Sequence, residues 1–154
     1  FRLYDIVDWL DEGPFDFILA NASLQWVPDH ASLFPSMVER LSSGGVLAVQ
    51  MPENLSEASH RLMTRVASQG VWAERLADVS SVRALLGEPE WYYRMLKERC
   101  RSVDIWRTIY HHPLASAAAV VEWFKGSGLR PYLDLLSPDE KEEFLARYRA
   151  LIEI

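Results

Sequence analysis

Two apolar runs set the architecture open to this chain. Phe15-Asp16-Phe17-Ile18-Leu19-Ala20 and Val46-Leu47-Ala48-Val49-Gln50-Met51 lack the strict alternation of a half-exposed strand. Runs of that kind suit strands covered by helices on both faces. The residues between them place Leu33, Phe34, Met37, Val38 and Leu41 on one side of a helix. Pro35 fits the first turn of its main part, where proline loses no intrahelical hydrogen bond, and Gly44-Gly45 ends the helix and supplies the turn. Strand, helix, strand at this spacing predicts a βαβ unit with a right-handed crossover.

Downstream the period lengthens. Ser56 is placed to cap a helix running to about residue 69, with Ala58, Leu62 and Val66 as its apolar stripe. Pro89 opens another, over about residues 90–99, that carries Trp91, Tyr92, Tyr93, Met95 and Leu96. From Ser102 to His111 the side chains alternate, Val103, Ile105, Arg107 and Ile109 against Asp104, Trp106, Thr108 and Tyr110. That period of two predicts a half-exposed or edge strand, antiparallel to its neighbour. Ser116 to Lys125 reads as a helix closed by Gly126 and Gly128. Ser137-Pro138-Asp139-Glu140 is a strong helix start, with serine as cap, proline at the first position and glutamate completing a capping box. Phe144, Leu145, Tyr148, Leu151 and Ile152 give that last helix its apolar face. The chain divides into an α/β part, residues 1–112, and a helical part, residues 113–154.

Composition narrows the function classes. At 154 residues, 49% of them apolar, the chain has material for a sizeable core. A net charge of −6 disfavours nucleic acid, because phosphate binding needs surplus Lys and Arg. No apolar run approaches the ~20 residues that span a bilayer, so no membrane partner is expected. The single cysteine, Cys100, excludes an internal disulfide framework and a multi-cysteine metal site, and no metal ligand set or catalytic residue is singled out. The plain reading is a soluble cytoplasmic protein. The chain starts without Met, inside what reads as a strand, and stops in mid-helix, so both ends read as cut.

Four stretches together resemble the trans-aconitate methyltransferase family of class I S-adenosylmethionine-dependent methyltransferases. They are Asp16-Phe17-Ile18-Leu19-Ala20-Asn21-Ala22-Ser23-Leu24-Gln25-Trp26-Val27-Pro28-Asp29-His30, Gly45 to Pro52, Val103-Asp104-Ile105-Trp106-Arg107-Thr108, and Gly128-Leu129-Arg130-Pro131. The first alone resembles class I methyltransferases at large; the four in order resemble this family. The resemblance implies a Rossmann-like, mostly parallel seven-stranded sheet with helices on both faces and a helical insert roofing the substrate. S-adenosyl-L-methionine would lie across the carboxyl ends of the strands. The family's glycine-rich loop, its ribose-binding acid and its last strand have no counterpart here, so the chain reads as the carboxyl-terminal portion.

The resemblance also assigns residues. Asp5 and Ile6 match the pair beside the adenine, a carboxylate for the exocyclic amine and an apolar cover for the ring; Asp5 as the cap of a local turn is the alternative. Asn21, Ala22 and Ser23 match the small residues against the cofactor, or form a plain strand-to-helix turn. Gln25 and Trp26 follow, and Trp26 either walls the ligand or joins the core. His30 reads as a helix-start residue. The implied substrate is a small polycarboxylic acid, methylated on one carboxylate to give a methyl ester. Its remaining charge calls for arginine forks, for which Arg107 and Arg130 are the candidates, with Tyr92, Tyr93, Tyr110 and His111 (and His112) as added hydrogen-bond donors; a surface ion pair is the alternative for each arginine.

Two other functions compete: a methyltransferase for another small-molecule or acyl-carrier carboxylate, and a non-catalytic fragment or truncated product. In the latter, the open edge at Phe15–Ala20 invites pairing with a second copy, a homodimer.

Overall fold

The structure, a computed structural model, describes residues 3, 5–7, 13–79 and 86–153. They form two compact units, residues 1–52 with 83–108 and residues 53–82 with 109–154. The units do not follow one cut at residue 112, since residues 53–82 group with the later helices.

The first unit is built on a parallel strand pair, β1 (Phe15–Asn21) and β2 (Leu41–Gln50), joined through helix α1 (His30–Glu39). The predicted strand–helix–strand unit is therefore present. From Phe17 onward the register runs without a break, Phe17 opposite Val46 through Asn21 opposite Gln50. Alternation along the pair decides the faces. Ile18 and Ala20 are buried in the core with Leu24, Phe34, Met37, Tyr92 and Leu96, while Phe17 and Leu19 point the other way and are exposed.

Two expectations about the joint between α1 and β2 are corrected. Pro35 lies inside the helix, not in its first turn, because Asp29 caps α1 six residues earlier by accepting from the Ser32 N–H at 3.1 Å. Gly44-Gly45 does not end the helix. It sits within β2, where the partner of Phe15 is Leu41 but that of Phe17 is already Val46, so four residues are accommodated as a bulge. Glycine is required there. Gly44 has φ +82, and a Cβ on Gly45 would stand 2.8 Å from the Phe15 carbonyl oxygen.

Helix α3 (Pro89–Leu96) follows the sequence reading and buries Tyr92 and Leu96. The strand expected over Ser102–His111 does not form. These residues join no ladder, and all but Val103 are exposed. Alternating side chains make a strand only where a neighbouring backbone supplies hydrogen bonds, and among the described residues β1 and β2 pair only with each other. The strand reading at the chain start rests on Phe1, Arg2 and Tyr4, which lie outside the described residues; Leu3 and Asp5–Val7 form none.

The second unit packs α2 (Ala58–Ala67), α4 (Ala117–Lys125), α5 (Arg130–Leu133) and α6 (Pro138–Ile152) around Trp72, Phe144, Tyr148, Met63, Val66 and Leu129. Each fully buried large apolar side chain contributes roughly 1.5–3 kcal/mol. Helix α2 starts later than expected: Glu57, not Ser56, is its cap residue, with no side-chain cap bond, and its buried stripe is His60, Met63, Val66 and Ala67. Ser116 caps α4 through the Ala119 N–H. The capping box of α6 is complete, Ser137 Oγ accepting from the Glu140 N–H and Glu140 Oε2 from the Ser137 N–H at 2.8 Å.

Candidate functional site

The loop at the carboxyl end of β1 is the most distinctive local structure in the first unit. Asn21 closes the strand and Ala22 continues it by one bond, its N–H donating to the Gln50 carbonyl at 2.9 Å. Ala22 then takes φ +50, left-handed for a residue with a Cβ. The chain turns, and Leu24–Trp26 form one 3₁₀ turn, with the Trp26 N–H on the Ser23 carbonyl and the Val27 N–H on that of Leu24. Asn21, Ala22 and Ser23 are all exposed, so three small or short residues line an open ledge at the strand's end. Trp26 is 49% exposed and is not a core residue.

Beneath the ledge the loop is pinned by buried polar groups. His30 Nε2 lies 2.8 Å from the Leu24 carbonyl oxygen, and its Nδ1 lies 2.7 Å from the Tyr92 hydroxyl. A carbonyl only accepts, so Nε2 carries a proton, and in the tautomer protonated there Nδ1 accepts the hydrogen bond of the Tyr92 hydroxyl. Gln25 is 4% exposed, and its Nε2 donates to the Ala22 carbonyl at 2.8 Å, while its Oε1 is buried with no partner. Helix capping holds the Asp29 carboxyl below the usual carboxylate range, through hydrogen bonds from Ser32.

The remaining candidates divide between the units. In the first, Asp5 Oδ1 accepts from the Val7 N–H at 3.0 Å, a turn of the kind aspartate favours, and Ile6 packs at the edge of the core. Tyr92 is in that core with its hydroxyl on His30, whereas Tyr93 on the same helix is half exposed. Arg107 pairs with Glu88 at 3.1 Å, both exposed. In the second, Arg130 pairs with Asp134 at 3.5 Å, one helical turn away and equally exposed. Tyr110 is exposed and stacks on His112, which packs in turn against Trp123, and His111 is exposed.

Sequence reasoning passes over Gln25 as a buried acceptor and His30 as a buried bridge. The only available signal is their spacing from Asn21, and nothing in a polar loop announces which amide is enclosed. Among the described residues no cluster of His, Cys, Asp and Glu could hold a metal ion, and no helix is long and apolar enough to cross a membrane.

No family model matches the chain. Curated relatives do. The trans-aconitate 2-methyltransferase of Methylobacterium radiotolerans is 49% identical over 156 residues, covering 99% of this chain and 60% of the relative. That of Variovorax paradoxus is 46% identical over 155 residues with the same coverage, and that of Afipia carboxidovorans is 48% identical over 148 residues, 96% of this chain and 58% of the relative. Over nearly its whole length the chain is similar to proteins named trans-aconitate 2-methyltransferase, and it spans about three-fifths of the length of these relatives.

Proposed function

We propose that this chain takes part in S-adenosyl-L-methionine-dependent transfer of a methyl group to one carboxylate of a small polycarboxylic acid of the trans-aconitate kind. The observation that carries the reading is the exposed Asn21–Ser23 ledge at the carboxyl end of a parallel strand, in a chain 46–49% identical to relatives of that name. The two strands are then part of a Rossmann-like class I sheet, in which ligands sit at the carboxyl ends. The protein is placed in the cytoplasm by the same reading.

The residues present fit part of the cofactor. Ala22 and Ser23 have no bulk to keep a ligand from the backbone, and Trp26 offers an exposed ring beside them. Asp5 has a carboxylate for an amine and Ile6 a branched apolar side chain to cover a ring, with Asp5 exposed. When bound, the cofactor supplies an electrophilic methyl group on a positively charged sulfur. The acceptor needs no general base, because a carboxylate is ionised at neutral pH; the protein's work is to hold one oxygen in line and keep water away. Arg107 and Arg130 are the candidates for the carboxylates that are not methylated. Each now holds an exposed carboxylate partner, an association worth little in water, so exchange for a substrate carboxylate is cheap. Tyr93, Tyr110 and His111 are exposed enough to add hydrogen bonds; Tyr92 is held by His30.

The test is transfer of labelled methyl from S-adenosylmethionine to trans-aconitate, run with this chain and with the same residues inside a protein of the relatives' full length. Methyl ester formed by the longer form supports the reading, and none from either form refutes it. One observation favours a second reading for the isolated chain: it spans only about 60% of its relatives. On that reading it does not turn over alone, and the exposed side chains of Phe17 and Leu19 on β1 join a second copy.

A further inference from the structure

Gln25 is the only buried side chain among the described residues with an unpartnered polar atom. Its amide orientation is not in doubt, because the group facing the Ala22 carbonyl at 2.8 Å must be the NH₂. The carbonyl oxygen is therefore left as a pure acceptor, enclosed and unmet. Such an oxygen is costly to bury, and native structures keep few of them. It lies in the same turn as Ala22, at φ +50, and next to the exposed ledge. We propose that Gln25 is a ligand-binding residue whose Oε1 receives an N–H or O–H of the molecule bound at the carboxyl end of β1, while its Nε2 holds Ala22 in the left-handed conformation that shapes the ledge. The inference deepens the cofactor reading and rests on it.

The chemistry excludes an anionic group as the occupant. A carboxylate has no donor, so the polycarboxylate substrate does not reach Gln25. The adenosyl cofactor carries two classes of donor: the ammonium of its amino-acid end, and the hydroxyls and amine of its nucleoside. Oε1 has no accessible surface, so the contact requires the 21–26 turn to open around the ligand, and its outward residues Asn21, Ala22, Ser23 and Trp26 are exposed.

The experiment is calorimetric titration of this chain, wild type and Gln25→Met, with S-adenosylhomocysteine and with methylthioadenosine, which lacks the amino-acid end. Circular dichroism establishes that each variant is folded. Loss of an acceptor for a charged donor should weaken S-adenosylhomocysteine by about tenfold or more. If methylthioadenosine is unaffected, the donor is the ammonium; if both weaken alike, it is a nucleoside group. Equal affinity of wild type and variant for both ligands overturns the inference alone. No binding by wild type, either as this chain or as the same residues inside a protein of the relatives' full length, overturns the cofactor reading and the inference with it. A second variant separates ligand contact from loop shape. Gln25→Met with Ala22→Gly lets position 22 keep its positive φ unaided. Affinity that stays low in the double variant supports direct contact, and affinity restored there reduces Gln25 to a loop cap and overturns the proposal.

Discussion

Replacing Tyr92 by Phe removes one oxygen from the core of the first unit and changes nothing in its packing shape. The hydroxyl donates to His30 Nδ1 at 2.7 Å, and both residues are buried, at 8% and 7% exposure. An average hydrogen bond is worth about 1 kcal/mol, and leaving a buried nitrogen unmet raises the loss to about 3 kcal/mol. For a chain of this size each kcal/mol moves the midpoint by about 2–4 °C, so Tyr92→Phe should unfold roughly 2–12 °C earlier. The assay is urea and thermal unfolding followed by circular dichroism, with a double-mutant cycle against His30→Leu. Contacting partners should show a coupling of about 0.5–3 kcal/mol. A change below about 0.5 kcal/mol in Tyr92→Phe, or strictly additive effects in the cycle, refutes the bridge and returns Tyr92 to the candidates for substrate binding.

Four further outcomes follow from the same structure. Ser137→Ala should cost about 1 kcal/mol in urea unfolding by removing the cap of α6. Glu140 is held below its ordinary value of 4.5, first by the Ser137 N–H and then by Arg75; its stabilisation is present above that value and fades as pH falls through the lower folded one, so Glu140→Gln should flatten the acid limb of the stability profile. Burial pushes the Tyr148 hydroxyl up to about 12 from 10; stability from this group is complete below pH 10 and falls by about 1.4 kcal/mol per unit between 10 and 12, a loss absent from Tyr148→Phe. Gly45→Ala should destabilise by about 1–3 kcal/mol, since its Cβ meets two backbone oxygens at 2.8 and 3.0 Å; unchanged unfolding would mean that the bulge in β2 relaxes freely.

The parts of the fold that sequence periodicity predicts are those whose partners lie close by in the chain. The two strands, the helix between them and the capping box at Ser137 depend on patterns within a few tens of residues, and all are present. Where the partner is remote or outside the ladder, local pattern misleads. Ser102–His111 alternates like a strand but has no described backbone to pair with. Pro35 and Gly44-Gly45 carry strong punctuation, yet Asp29 starts the helix before the proline and the glycines serve a bulge. The candidate site divides in the same way. Asn21, Ala22 and Ser23 could be named because a strand end followed by small residues is a local pattern. The bridge from His30 to Tyr92 spans 62 positions, and the lone oxygen of Gln25 depends on the whole enclosure of the loop, so neither had a local signature.

The central claim is that the carboxyl end of β1 receives an adenosyl ligand. Backbone amide shifts of this chain, recorded during titration with S-adenosylhomocysteine, test it most directly. The account predicts saturable shifts concentrated at Asp5, Ile6, Asn21–Ser23 and Trp26, with Ser137–Ile152 unmoved. A spectrum that does not change, or changes confined to the helices of the second unit, would contradict it.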